Sequence, residues 1–298
     1  MDDKENPPAL IVTLRSLVKS ESKTGRSVKW EPYFMYNDQP DNAQPSSSSG
    51  HTKGVVGIGT RPFWLLHSVP NFPSSDGKGT FYFPESEIIF GQTFLCVAID
   101  AANIDDIATQ LSYTHPYVYV NQVGDASGWP LLSQILDGSG FITSPGSTST
   151  KKFGSFTHFA KNGNWDDDMY ENLIAKTLKS DLVVESWIRG NGEGTYCKPA
   201  HPYEVVDVEN MMAVDTDGTN ITWKETQDHA KWAVTTDSGH PYVCIADINR
   251  MKSQRTRGGG ALCFENSNLA NQMSNSIVKQ HKCRGSASDS KYYNNTKL

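Results

Sequence analysis

Six runs along the chain crowd β-branched and aromatic residues together: PYFMYN (32–37), FWLLHSV (63–69), TFLCVAI (93–99), PYVYV (116–120), LVVESWI (182–188) and PYVCIADI (241–248). Such runs predict strands, and several are apolar almost throughout, as strands are when both faces of their sheet are covered. Between them the apolar positions change to a helical spacing. Ile104, Ile107, Ala108 and Leu111 fall on one face, as do Met169, Leu173, Ile174 and Leu178, and later Leu269, Met273 and Ile277. Each set marks a helix face turned to a core. Residues 39–50 (QPDNAQPSSSSG) and 143–150 (TSPGSTST) are Pro/Ser/Gly-rich loops, the second a join between halves. Strands mixed with helices in two similar blocks predict a layered α/β protein, divided into residues 1–145 and 151–283. Residues 284–298 have no pattern and are expected to form a disordered tail.

A chain of 298 residues can build one large domain or two fused halves. No apolar run approaches the roughly 18 residues of a membrane span, so a soluble globular protein without a membrane partner is expected. The opening MDDKENPPALIVTL is acidic and polar, and no signal peptide is visible in it. Cys197, Cys244, Cys263 and Cys283 are nevertheless spaced like a disulfide framework, and Cys96 makes the count odd. Either the start is missing or the thiols are reduced. The formal charge of −6 argues against holding nucleic acid by bulk charge at neutral pH. Protonating all eight histidines takes it from −6 to +2, so affinity for a polyanion should rise as pH falls.

One short pattern recurs. His51-Thr52-Lys53 and His229-Ala230-Lys231 repeat a His-x-Lys triplet, each followed by a strand-like run. Laid side by side, FWLLHSVP (63–70) and YVCIADIN (242–249) pair Ser68 with Asp247 and Pro70 with Asn249, as an internal duplication would. In extended chain, residues i and i+2 share a face, so the His and Lys of one triplet project together. Two triplets meeting at a pseudo-twofold axis would place two imidazoles and two ammonium groups around one anion. That set suits phosphodiester cleavage: one imidazole attacks phosphorus, the other protonates the departing oxygen, and the lysines neutralise the non-bridging oxygens. The scheme calls for no metal and no cofactor.

GHTKGV (50–55), FWLLHSVPNFP (63–73), YNDQP (36–40), FGQTFLCV (90–97), DHAKWAV (228–234), VCIADINR (243–250) and RGGGALCF (257–264), in that set, resemble the DNase II family from about Tyr33 to Cys283. The resemblance implies a phospholipase D-like α/β fold: two pseudo-symmetric halves, each with a mixed sheet flanked by helices and each giving one His-x-Lys to a single site. It also implies metal-independent, acid-active cleavage of double-stranded DNA to 3′-phosphate ends through a phosphohistidine. A lysosomal or secreted location and a possible homodimer are implied as well. His51, Lys53, His229 and Lys231 match the catalytic positions, with His51 the expected nucleophile and His229 the acid. His67 matches a third histidine, for which a packed core residue is the competing reading. Asp247 and Asn249 resemble part of a phosphate-binding segment whose partner in the first half, Pro70, breaks the symmetry. The resemblance pairs Cys244 with Cys263 and Cys197 with Cys283, leaving Cys96 without its partner.

Arg250, Lys252, Arg255 and Arg257, with Gly258 to Gly260, read as a flexible cationic edge for DNA phosphates or as a solvated loop. Asn220 and Asn294 open glycosylation triplets. The family's leader and its V-D-W-x-x-x-Y-K strand have no counterpart in this reading, which predicts an exposed sheet edge in the first half. Beside the nuclease stand two other functions: a truncated, non-catalytic secreted binding protein, and a phosphodiesterase acting on phospholipid.

Overall fold

The computed structural model describes Leu14 and residues 17–21, 28–41, 43–75 and 81–283. The residues expected to form the tail, Asn294 among them, lie outside this set. The described chain opens with a two-stranded ladder of β1 (Val18–Glu21) and β2 (Val28–Trp30).

Strands β3 (Tyr33–Asn37), β4 (Lys53–Gly57) and β5 (Phe63–His67) then form an antiparallel meander. A second small ladder joins β6 (Ser74–Ser75) to β7 (Phe81–Tyr82), and β8 (Phe94–Ala98) pairs with β5. The helix Ile104–Thr114 carries the chain back across the sheet, so that β9 (Val118–Asn121) pairs with β3. The order is β8-β5-β4-β3-β9. Every pairing in it is antiparallel, which corrects the expectation of a mixed sheet in this half. Hairpins reverse the chain from β3 to β4 to β5, and β8 and β9, at opposite edges, run in the same direction, each antiparallel to the strand it pairs with. Nor is β3 an edge: β4 and β9 flank it, and the sheet ends at β8 and β9.

The second half builds a larger sheet from β10 (Thr148–Phe153), β11 (Phe156–Lys161), β12 (Leu182–Glu185), β13 (Val205–Val214), β14 (Asn220–Lys224), β15 (Trp232–Thr235), β16 (Tyr242–Ala246), β17 (Gly259–Glu265) and β18 (Ile277–Gln280). The order is β10-β11-β17-β16-β15-β12-β13-β14, with β18 also against β13. This sheet is mixed: β12 and β13 are parallel, joined by the long connection that such pairs need.

Neighbouring residues of one strand feed opposite cores. Val56, Trp64 and Leu66 pack with Ile104, Ile107 and Leu111 of the helix, whereas Val55, Phe63 and Leu65 fill the other face. Val184, Ala233 and Cys244 face Tyr170 and Ile174, while Val183, Val234 and Val243 face Ala270. The near-continuous apolar runs follow from this two-sided burial.

Three boundaries differ from the sequence reading. The helix Ser267–Asn275, capped by the Asn266 side chain accepting from the Leu269 amide, stops before Ile277, which opens β18. The Met169 set becomes a π-helical turn, Tyr170–Ala175, continued by Lys176–Leu178. Thr148–Thr150, read as loop, belong to β10. The glycines 258 to 260 are not a flexible edge either. All three are buried, and a Cβ on Gly258 would run into the Thr114 carbonyl oxygen while one on Gly260 would meet the His158 ring at 2.7 Å. Close packing, rather than mobility, requires glycine there.

Candidate active site

Both triplets stand at strand starts: Lys53 opens β4, and Lys231 directly precedes β15. Each is then tied to the opposite half. The His51 amide donates to the Gly258 carbonyl (2.8 Å), and the His229 amide donates to the Gly91 carbonyl (2.8 Å). The imidazoles repeat the exchange, His51 Nδ1 lying 2.7 Å from the Asp247 carbonyl oxygen and His229 Nδ1 2.7 Å from that of Ser68. Ser68 and Asp247 are the residues the duplication pairs, and their own settings match. Ser68 N donates to Thr93 O (3.1 Å) and Asp247 N to Gly260 O (2.9 Å). In return Thr93 N donates to Ser68 Oγ (2.9 Å) and Gly260 N to Asp247 Oδ2 (3.2 Å). Two copies of one arrangement therefore interlock across the junction of the halves.

A carbonyl oxygen can only accept, so Nδ1 of each ring carries the hydrogen and Nε2 keeps its lone pair. Burial, with the charge of Lys53 next, holds the His51 imidazole well below the ordinary histidine range. Burial and then Lys231, Lys53 and His51 lower His229 in the same way. That each ring responds to the lysine of the other triplet places all four groups in one electrostatic neighbourhood.

The lysines are 2% and 1% exposed and are held differently. Lys53 Nζ donates to the Asp38 carboxylate, which also accepts from Arg257 at 3.1 Å. Burial alone would raise the Asp38 carboxyl, but Lys53, His51 and Arg257 hold it below the usual carboxylate range. Lys231 Nζ donates to the His229 carbonyl oxygen (2.5 Å), and burial followed by Lys53 lowers it to about 7. The middle residues differ too. Thr52 Oγ1 donates to Asp247 Oδ2 (2.7 Å), whereas Ala230 has no side chain to do so. Burial pushes the Asp247 carboxyl up to about 7.

His67 lies on β5 between Phe72 (5.1 Å) and Phe94 (6.1 Å); its Nδ1 accepts from the Val69 amide, and its Nε2 is buried without a partner. Burial lowers it to about 3. Asn249 is buried with Oδ1 unpartnered.

One member of the cationic edge is corrected. Arg250 is buried, its guanidinium donating to Asp168 (2.9 Å) and Asp207 (2.8 Å), so it fastens the segment that carries Asp247 and is not free for DNA. Arg255 is engaged by Glu193 at 2.7 and 2.5 Å, and Arg257 by Asp38 and the Ser49 carbonyl. Lys252 is exposed. Disulfides join Cys244 to Cys263 and Cys197 to Cys283; Cys96 is exposed on the edge strand β8, and Asn220 is exposed at the start of β14. Sequence reasoning missed Asp38, Thr52 and Ser68 as site residues. Thr52 and Ser68 were within reach, one inside the triplet and the other aligned with Asp247.

The family model for deoxyribonuclease II matches residues 2–283. The chain belongs to the deoxyribonuclease II family. The match starts ahead of Tyr33, so Val28-Lys29-Trp30 and β3 fall within the family's own span. Among its relatives, pig deoxyribonuclease-2-alpha is 38% identical over 244 residues, which cover 78% of this chain and 65% of the pig protein. Plancitoxin-1 of Acanthaster planci is 33% identical over 291 residues, covering 94% and 78% respectively. Cell death-related nuclease 6 of Caenorhabditis elegans is 33% identical over 301 residues, covering 95% and 75%. The chain thus spans roughly two thirds to three quarters of these deoxyribonuclease II relatives.

Proposed function

We propose that this chain is a metal-independent acid endodeoxyribonuclease that hydrolyses double-stranded DNA to 3′-phosphate ends. The observation that carries the reading is the reciprocal exchange, His51 held through Nδ1 by Asp247 and His229 through Nδ1 by Ser68, which leaves Nε2 of each ring for the chemistry, with both triplet lysines buried. The phospholipase D-like arrangement of two halves around one site, a lysosomal or secreted destination and a homodimer belong to the same proposal; family membership and the paired cysteines support it.

In this mechanism His51 Nε2 attacks phosphorus while His229 Nε2 gives a proton to the departing 5′-oxygen, and the P–O5′ bond breaks. The phosphohistidine keeps the 3′-linked phosphoryl group. Water, giving its proton to His229, then displaces His51, and the P–N bond breaks to leave a 3′-phosphate. Lys53 and Lys231 supply positive charge to the non-bridging oxygens. Asp247 and Ser68 carbonyls hold the rings in the tautomer that both steps need.

Acid preference follows from the shifts. A ring held below the ordinary histidine range carries the donor proton only in acid, and Lys231, lowered to about 7, loses its charge as pH rises past neutrality. The other imidazole must stay neutral to attack, so the rate should fall again at the acid extreme. The test is plasmid cleavage in EDTA near pH 5, followed by end-group analysis. Metal-free nicking with 3′-phosphate ends is expected; 5′-phosphate ends, or an inert but folded protein, would overturn the reading.

A further inference from the structure

The two most exposed large apolar side chains among the described residues are neighbours, Ile88 and Ile89, at 67% and 76% exposure. They follow the one-turn helix Glu85–Glu87 and precede Phe90 and Gly91. Gly91 is the residue whose carbonyl accepts the His229 amide. Three Cα steps separate it from Ile88, so the isoleucines cannot lie more than about 11 Å along the chain from that contact.

An apolar and aromatic path connects the tip to the imidazole. The Phe90 ring lies 5.8 Å from that of Trp187, and the half-buried Trp187 meets His229 edge-on with centroids 4.3 Å apart. Trp187 Nε1 donates to the Thr226 carbonyl (3.0 Å), fixing the ring, and the exposed Arg189 guanidinium stands 4.4 Å over it. The tip is also braced. Ser68, which holds His229, donates from Oγ to Gln92 (2.6 Å), and Gln92 donates to Glu87 (3.4 Å). The catalytic chemistry uses none of these apolar groups.

We infer that Ile88, Ile89, Phe90 and Trp187 form a DNA-gripping lip that packs against the sugar and base of a nucleotide beside the scissile phosphate, on the His229 side, while Arg189 takes a flanking phosphate. This rests on the nuclease reading. Continuity with His229 and a cation at the ring fit a ligand that alternates apolar bases with anionic phosphates. A bare polyanion would not use the isoleucines, and a second copy of this chain is the alternative that the test below separates.

The test compares binding of duplex DNA and of inorganic polyphosphate in acid, by the His51→Ala protein so that DNA stays intact. Ile88→Ser/Ile89→Ser should weaken DNA binding roughly tenfold, the loss expected for taking a buried isoleucine contact away, and leave polyphosphate binding unchanged. Trp187→Leu should weaken DNA binding by a similar factor, and Trp187→Phe, which keeps a ring beneath Arg189, should restore most of the loss. Equal weakening toward both probes would overturn the lip. So would unchanged DNA binding accompanied by loss of a dimer in sedimentation, which would make the tip a self-association surface. A parent that binds DNA with this discrimination but never cuts it would defeat the nuclease reading while upholding the lip.

Discussion

Thr52 and Ala230 occupy the middle of the two triplets, and the difference gives Asp247 two tasks: its carbonyl holds His51, and its carboxyl receives Thr52. Asp247 keeps its proton in the fold up to about pH 7, whereas in the unfolded chain it loses it near 3.9. The stability it confers is therefore full below the unfolded value and is lost as pH rises toward 7. Asp247→Asn cannot ionise, so its advantage over the parent should grow between about pH 4 and 7, to roughly 2–4 kcal/mol. Urea unfolding across that range checks this; a constant difference would contradict it. Arg250 makes a separate prediction. Removing it leaves Asp168 and Asp207 buried without their cation, so Arg250→Ala should cost about 3–5 kcal/mol of stability. A normally stable variant with weakened DNA affinity would return Arg250 to the phosphate-binding role read from sequence. Lys231→Met should instead leave stability near the parent's and lower kcat by roughly 10²–10³, as removing one donor to a developing oxyanion does.

At the scale of elements, the first triplet is placed by glycines at the end of the Ile104–Thr114 helix. A Cβ on Gly50 or Gly258 would strike the Thr114 carbonyl oxygen; Gly50 directly precedes His51, and the Gly258 carbonyl accepts the His51 amide that ties the triplet to the second half. Gly258→Ala should cost about 1–3 kcal/mol and reduce cleavage, while Gly128→Ala, with nothing within 4 Å of its new Cβ, should do neither. Thermal unfolding and a plasmid assay on both variants check this. The strands that a sequence shows best are those packed on both faces: the apolar runs at 63–69 and 241–248 became β5 and β16. Strands β4 and β17 were hidden because glycine replaces side chains where chain crosses chain, as in KGVVG and GGALCFE. The His-x-Lys spacing made His51, Lys53, His229 and Lys231 visible. Ser68 was legible through its alignment with Asp247, whereas Asp38 acts on Lys53 through a contact between separate segments that no spacing announces. Arg250 was misread because a basic run looks the same in sequence whether it faces solvent or buried carboxylates.

The two halves contribute equally to the candidate site, and each holds the other's histidine. Such a site should titrate as a unit. Cleavage should follow a bell-shaped pH dependence centred in acid, failing above as Lys231 and the proton-donating imidazole lose their protons and below as the attacking imidazole gains one. A rate still rising through about pH 8 would contradict it. The central claim, one site built from two triplets, is tested most directly by metal-free DNA cleavage with His51→Ala, His229→Ala and the double variant. Each single substitution should cost about a thousandfold or more, and the double variant should be no worse than either, because the two groups act as one unit. Substantial activity in either single variant, or losses that multiply in the double, would contradict it.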